Sequence, residues 1–157
     1  MMNSEQMWSR PAMMITAFQI LFDYFPFGSG FASFATFASG TYYSKTYAEY
    51  GIDHLYGISK EWPSFITDAY YPELAQFGIV GVSLYISFWI TIMHQSRPLL
   101  QKGYYKEFII AVLICIFFAI EGIADATFVH NRGLFILMLL GLIIPHKSSQ
   151  SQTPQEK

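Results

Sequence analysis

The sequence predicts an all-α integral membrane protein with about three transmembrane helices, an N-terminal interfacial helix and an exported, aromatic-rich loop. Three observations predict it. The 157 residues are 53% hydrophobic and 18% aromatic but only 13% charged, against roughly 25% charged in ordinary soluble domains. Its apolar residues gather in long runs, and the run 74–93 carries no formal charge. The basic residues between runs cluster on one side, as the positive-inside rule requires of a chain threading a bilayer. A net charge of −2 with no basic block argues against nucleic acid as a partner. Cys115 is the single cysteine and lies inside an apolar run, so it reads as a packing residue.

The first element follows Ser9 or Arg10, either of which can open a helix with Pro11 in its first turn, where a missing N–H costs nothing. A signal peptide is the competing account of PAMMITAFQILF, but Glu5 spoils its basic head and DYFP is a poor cleavage site. Thr16, Gln19 and Asp23 recur on one side of this helix as a narrow polar stripe. Too short to span, it is expected in the interface or against other helices, with Arg10 at its mouth. Pro26 ends it, because the residue before a proline is pushed out of the α region.

The stretch DYFPFGSGFASFATFASGTYY then runs uncharged from Asp23 to Lys45. Gly28 and Gly30 fit a tight turn better than a phosphate loop, since no strand precedes them. Tyr42, Tyr43, Tyr47, Tyr50, Tyr56 and Trp62 make the following loop suited to headgroups or to stacking on sugar rings. Asp68 falls just before the first membrane helix, whose start carries Pro72 and Glu73 in its first turn. Gly78 and Gly81 leave a groove on that helix for another to approach.

The helix 74–93, at about 1.5 Å per residue, crosses the roughly 30 Å hydrocarbon layer. A second span covers 108–124, with Glu121 in its last turn, and a third covers 128–144. Arg97, Lys102 and Lys106 between the first two spans, and Lys147 after the third, are assigned to the cytoplasm. Residues 1–73 are then exported, 74–144 form the membrane domain, and 145–157, ending SSQSQTPQEK, form a disordered cytoplasmic tail. Glu121 and Asp125, four apart, with His130 and Arg132 close behind, suggest a salt-bridged cluster at the outer interface. His94 and His146 flank spans without ligand partners nearby.

Arg10 before an apolar helix, the DYFPFGSGFASF turn, the aromatic loop and DAYYPELAQFGIVG entering a span occur in an order that resembles the C-terminal portion of the O-antigen ligase and polymerase superfamily. The resemblance, over roughly 8–144, covers the Wzy and WaaL type of bacterial polysaccharide enzymes. It implies a multi-pass protein of the bacterial inner membrane that needs no metal or other cofactor. The implied reaction is inverting glycosyl transfer from undecaprenyl-diphosphate-linked glycan to a second repeat unit, or, in ligases, to lipid A core.

Under that resemblance Arg10 holds the diphosphate and Asp68 stands where ligases often carry a histidine, as base or orienting group, with His54 further back. Gly28, Gly30, Lys45, His54 and Lys60 complete the substrate-binding candidates. Each has a simpler account as well: headgroup anchoring for Arg10, a solvated loop acid for Asp68, turn geometry for the glycines and solvation for the lysines. The family's earlier helices are absent from this sequence. The chain therefore reads as a C-terminal part, inactive alone and completed by a missing N-terminal membrane half or other polysaccharide-assembly proteins. The polymerase is preferred over the ligase, and a non-catalytic scaffold or glycan-binding subunit is the alternative from another class.

Overall fold

The computed structural model describes residues 9–149, with side chains described for 9–144. All regular structure among them is helical, and no strand occurs. Helix α1, Ser9–Asp23, buries Ser9, Met13, Thr16, Ala17 and Ile20, the i, i+4, i+7, i+8 face expected of a helix packed on one side. Thr16 is thus turned inward, while Gln19 and Asp23, the rest of the predicted polar stripe, stay exposed. Ile15, Phe18 and Phe22 form a second, outward apolar face.

The loop that follows carries α2, Phe37–Thr41, opened by a reciprocal cap between Thr36 and Ser39, and α3, Thr46–Glu49. Its core gathers Phe34, Tyr47, Ile52, Ile58 and Ile66 against Met13, Ala17 and Ile20 of α1. Helix α1 and the loop therefore form one packed cap. The Tyr47 hydroxyl, fully buried, accepts the Ala35 N–H at 3.0 Å and shares a 2.7 Å hydrogen bond with Ser39.

The first span starts differently from its prediction. Helix α4, Tyr70–Glu73, passes through a 3₁₀ turn, Leu74–Phe77, into α5, Gly78–Gln101. Gly78 has φ +63°, so the helix cannot run continuously from 74. A Cβ on Gly28 (φ +78°) would lie 2.3 Å from Gly78 N, and one on Gly78 would lie 2.3 Å from Gly28 N. The two glycines bring the turn after α1 and the head of α5 into direct backbone contact. The groove predicted from Gly78 and Gly81 is accordingly filled from within the chain, by this turn and by the Phe77 side chain, which sits where a Gly81 Cβ would go.

Helix α5 continues past 93 because the polar residues after the apolar run are compatible with helix. Hydropathy marks the bilayer and not the helix end. Helix α6, Tyr105–Ala124, ends where expected. A 3₁₀ turn, Thr127–Val129, then displaces the start of α7 to Asn131. Helix α7 runs to Ser149, into the stretch predicted as tail, and 150–157 lie outside the described residues.

Ala111, Ile114 and Phe118 of α6 pack on Leu140 and Ile144 of α7, with Trp89 and Ile92 of α5 beside them. Phe128 closes the bundle at the cap end, its ring contacting those of Tyr70, Tyr85 and Phe118 at 4.9, 5.5 and 5.7 Å. Among the described residues two segments, Tyr70–Gln101 and Tyr105–Ala124, are long and apolar enough to cross a membrane. The predicted third span gives only the shorter apolar stretch Asn131–Ile144, because the 3₁₀ turn before it takes up its first residues. Only 6% and 22% of the two long segments' most apolar windows are buried within the protein, unlike the core helices of soluble proteins. Their large side chains face outward, as a lipid solvent permits.

Candidate functional site

Arg10 and Asp68 are 58 residues apart and meet in the structure. Ser9 Oγ donates to the Tyr56 carbonyl at 2.6 Å, which pins the start of α1 to the cap loop. Asp68 sits just ahead of α4, held by its N–H on the Phe65 carbonyl. Arg10 Nε donates to Asp68 Oδ2 at 2.8 Å, and Nη2 donates to the same oxygen. The guanidinium also lies over the Phe65 ring, 5.7 Å from its centroid, and Tyr56 packs edge-on against Phe65 at 5.8 Å.

With side chains 55% and 32% exposed, this ion pair contributes roughly 0–1 kcal/mol to stability. Its consequence is positional. The pair stands at the rim of a pocket of about 280 Å³ whose walls are Met13, Met14, Phe65, Pro72, Ile123 and Ala124. An anion entering there meets the guanidinium N–H groups not used on Asp68, with apolar walls raising the strength of each contact. Among the described residues no hydrogen bond reaches Asp68 Oδ1.

The other candidates lie elsewhere. Gly28 is enclosed by backbone atoms of Ala75, Gln76 and Gly78, which occupy the space a ligand would need in front of it. Gly30 has open space but spends its N–H on the Gln76 carbonyl at 3.1 Å. Lys45, His54 and Lys60 are exposed on the cap, and none lines the Arg10 pocket. Phe65, Pro72 and the α6 end at Ile123 and Ala124 carry no signal in the sequence, because their place in the site comes from tertiary packing alone.

The predicted acidic cluster resolves into turn contacts between α6 and α7. Arg132 donates to Asp125 at 2.7 Å, Thr127 donates to Glu121 at 3.1 Å, and His130 Nδ1–H donates to the Ala126 carbonyl at 2.8 Å. The cap tyrosines stay neutral phenols and so are poor bases, since burial raises Tyr47 to about 12 and burial with nearby Asp53 and Glu61 raises Tyr43. Tyr50 is raised too, by burial and then by its 2.7 Å hydrogen bond to Asp23. Among the described residues no three His, Cys, Asp or Glu side chains converge as a metal site would need. No family model, curated protein or solved structure matches this chain.

Proposed function

We propose that this chain is part of a membrane glycosyl-transfer enzyme that joins undecaprenyl-diphosphate-linked repeat units into polysaccharide at the outer face of a bacterial inner membrane. The observation that supports it is the Arg10–Asp68 pair at the rim of an apolar pocket beside the membrane helices. In this reading the acceptor hydroxyl oxygen bonds to the anomeric carbon as the bond from that carbon to the diphosphate oxygen breaks. The leaving diphosphate takes the electron pair, and the anomeric configuration inverts. Arg10 meets the charge growing on the leaving group, for which a planar, permanently charged guanidinium is suited. Asp68 orients Arg10 through Oδ2 and receives the hydroxyl proton on Oδ1.

A pocket of about 280 Å³ is at the lower limit for a small ligand and takes the diphosphate without the glycans. A partner membrane segment supplies the rest of the cavity. The test is complementation of a strain lacking its polysaccharide polymerase, with this chain alone and with the N-terminal half of a homologous enzyme. Long glycan chains restored by the combination support the reading. Failure of both, where an intact polymerase succeeds, removes it. The engagement of both Nε and Nη2 with Asp68 favours a second reading, a glycan-binding membrane scaffold without chemistry. Arg10→Ala separates the two, because a scaffold keeps glycan length unchanged.

A further inference from the structure

We infer that the phenylalanine turn of the cap is a membrane wedge, immersed in the outer leaflet beside α5 and not folded over the Arg10 pocket. Phe22, Phe25, Phe27, Phe31 and Phe37 are 79%, 69%, 75%, 85% and 79% exposed. Phenylalanine has no polar atom to satisfy in water, and a cluster this open on a soluble surface signals an interaction site. Three further features identify the partner as lipid.

The turn is fixed in height to the start of the membrane helix. Gly28 touches Gly78, Gly30 N–H donates to the Gln76 carbonyl at 3.1 Å, Val80 N–H donates to the Pro26 carbonyl at 3.4 Å, and the Phe31 and Phe77 rings lie 6.2 Å apart. Phe27 shares a groove with Val80 and Leu84 on the outward face of α5, and Phe22 continues the outward face of α1 from Ile15 and Phe18. A surface that is lipid-facing along α5 therefore does not change solvent at the turn.

Many of the turn's backbone N–H groups are paired within the protein. The N–H groups of Gly28, Gly30, Ala32, Ser33, Ala35 and Thr36 donate to Tyr24 O, Gln76 O, Gln76 Oε1, Gly30 O, the Tyr47 hydroxyl and Ser39 Oγ, respectively. Ser29 and Ser33 hydroxyls share a 2.6 Å hydrogen bond. An irregular loop in water has no need to satisfy its backbone internally. One at the headgroup and acyl boundary does, because each unpaired group there costs free energy. Exposed rings with these N–H groups internally paired are what lets a non-helical segment sit roughly 5–10 Å into the interface. Within 24–44 no formal charge opposes it.

The test is nitroxide labelling of a Cys115→Ala chain at Phe31→Cys or Phe37→Cys, in vesicles of phosphatidylethanolamine and phosphatidylglycerol. Leu84→Cys on the open face of α5 and Lys60→Cys on the cap serve as lipid and water references. Accessibility is read with oxygen, which concentrates in acyl chains, and with a water-soluble nickel chelate. The wedge predicts that both turn labels side with Leu84, high for oxygen and low for nickel. Nickel accessibility like that of Lys60 would place the turn in water and overturn the inference. Low accessibility to both reagents would show a covering protein and overturn it equally, as would a nickel-accessible Leu84. All the labelled positions are exposed side chains, and native Cys115 left unsubstituted serves as the background if alanine there disturbs folding.

Discussion

Arg10 and Asp68 stood out in the sequence as charges flanking apolar helices, and the resemblance, not their own pattern, singled them out as a pair of site candidates. Their contact was not legible there, since 58 residues separate them and the Ser9–Tyr56 contact that brings them together leaves no pattern. The same holds for Phe65, whose value as a platform exists only once Arg10 lies over it. Arg10→Lys is expected to keep the cap folded and to lose most activity, because an ammonium replaces neither the fork of donors nor the stacked plane. Glycan length in complemented cells, set against thermal stability of the purified protein, checks the separation. Tyr47 gives a residue-scale prediction about the fold. Phenylalanine at 47 leaves the Ala35 N–H without its acceptor and is expected to cost about 1–3 kcal/mol in denaturant unfolding. The folded pKa of Tyr47, about 12, lies above the ordinary 10.0 because burial favours the neutral phenol. The stabilisation is therefore complete below pH about 10 and lost as pH rises through about 12, relative to the Tyr47→Phe chain.

Among the elements, the α6 end was readable from its apolar run closing at Asp125, and the α5 start was not. The reason is Gly78, whose positive φ is set by the Gly28 turn pressed against it across the sequence. Local propensity sees a helix from 74, and tertiary contact makes two short turns of it. This contact predicts an asymmetry between neighbouring glycines. Alanine at Gly28 drives a Cβ to 2.3 Å from a backbone nitrogen, and is expected to cost about 3 kcal/mol through overpacking and strain. Alanine at Gly30, where nothing lies within 4 Å, is expected to cost only the positive-φ penalty of about 1–2 kcal/mol. Denaturant midpoints of the two variants in detergent, read by far-ultraviolet circular dichroism, measure the difference.

For the whole molecule, composition and the long apolar runs carried the all-helical reading, and two helices long and apolar enough to cross a membrane agree with it. The packed cap was less legible. Its tyrosines suggested headgroups or sugars, whereas Tyr47 and Tyr43 are spent on internal hydrogen bonds to Ser39 and to the Ile58 carbonyl. At opposite ends of α5 and α6 lie the cap with Arg10 and the basic loop with Arg97, Lys102 and Lys106. Cysteines at Lys60 and Lys102 in a Cys115→Ala chain are therefore expected to react with an impermeant maleimide from opposite faces of the membrane. The central claim, that Arg10 acts on substrate and does not merely brace Asp68, is tested most directly by exchanging the charges. Arg10→Asp with Asp68→Arg keeps the ion pair but moves the guanidinium off α1. Glycan chain length is then measured in the polymerase-deficient strain carrying the complementing half. Stability near that of the wild type with loss of long chains is the predicted result, and long chains made as by the wild type would contradict it.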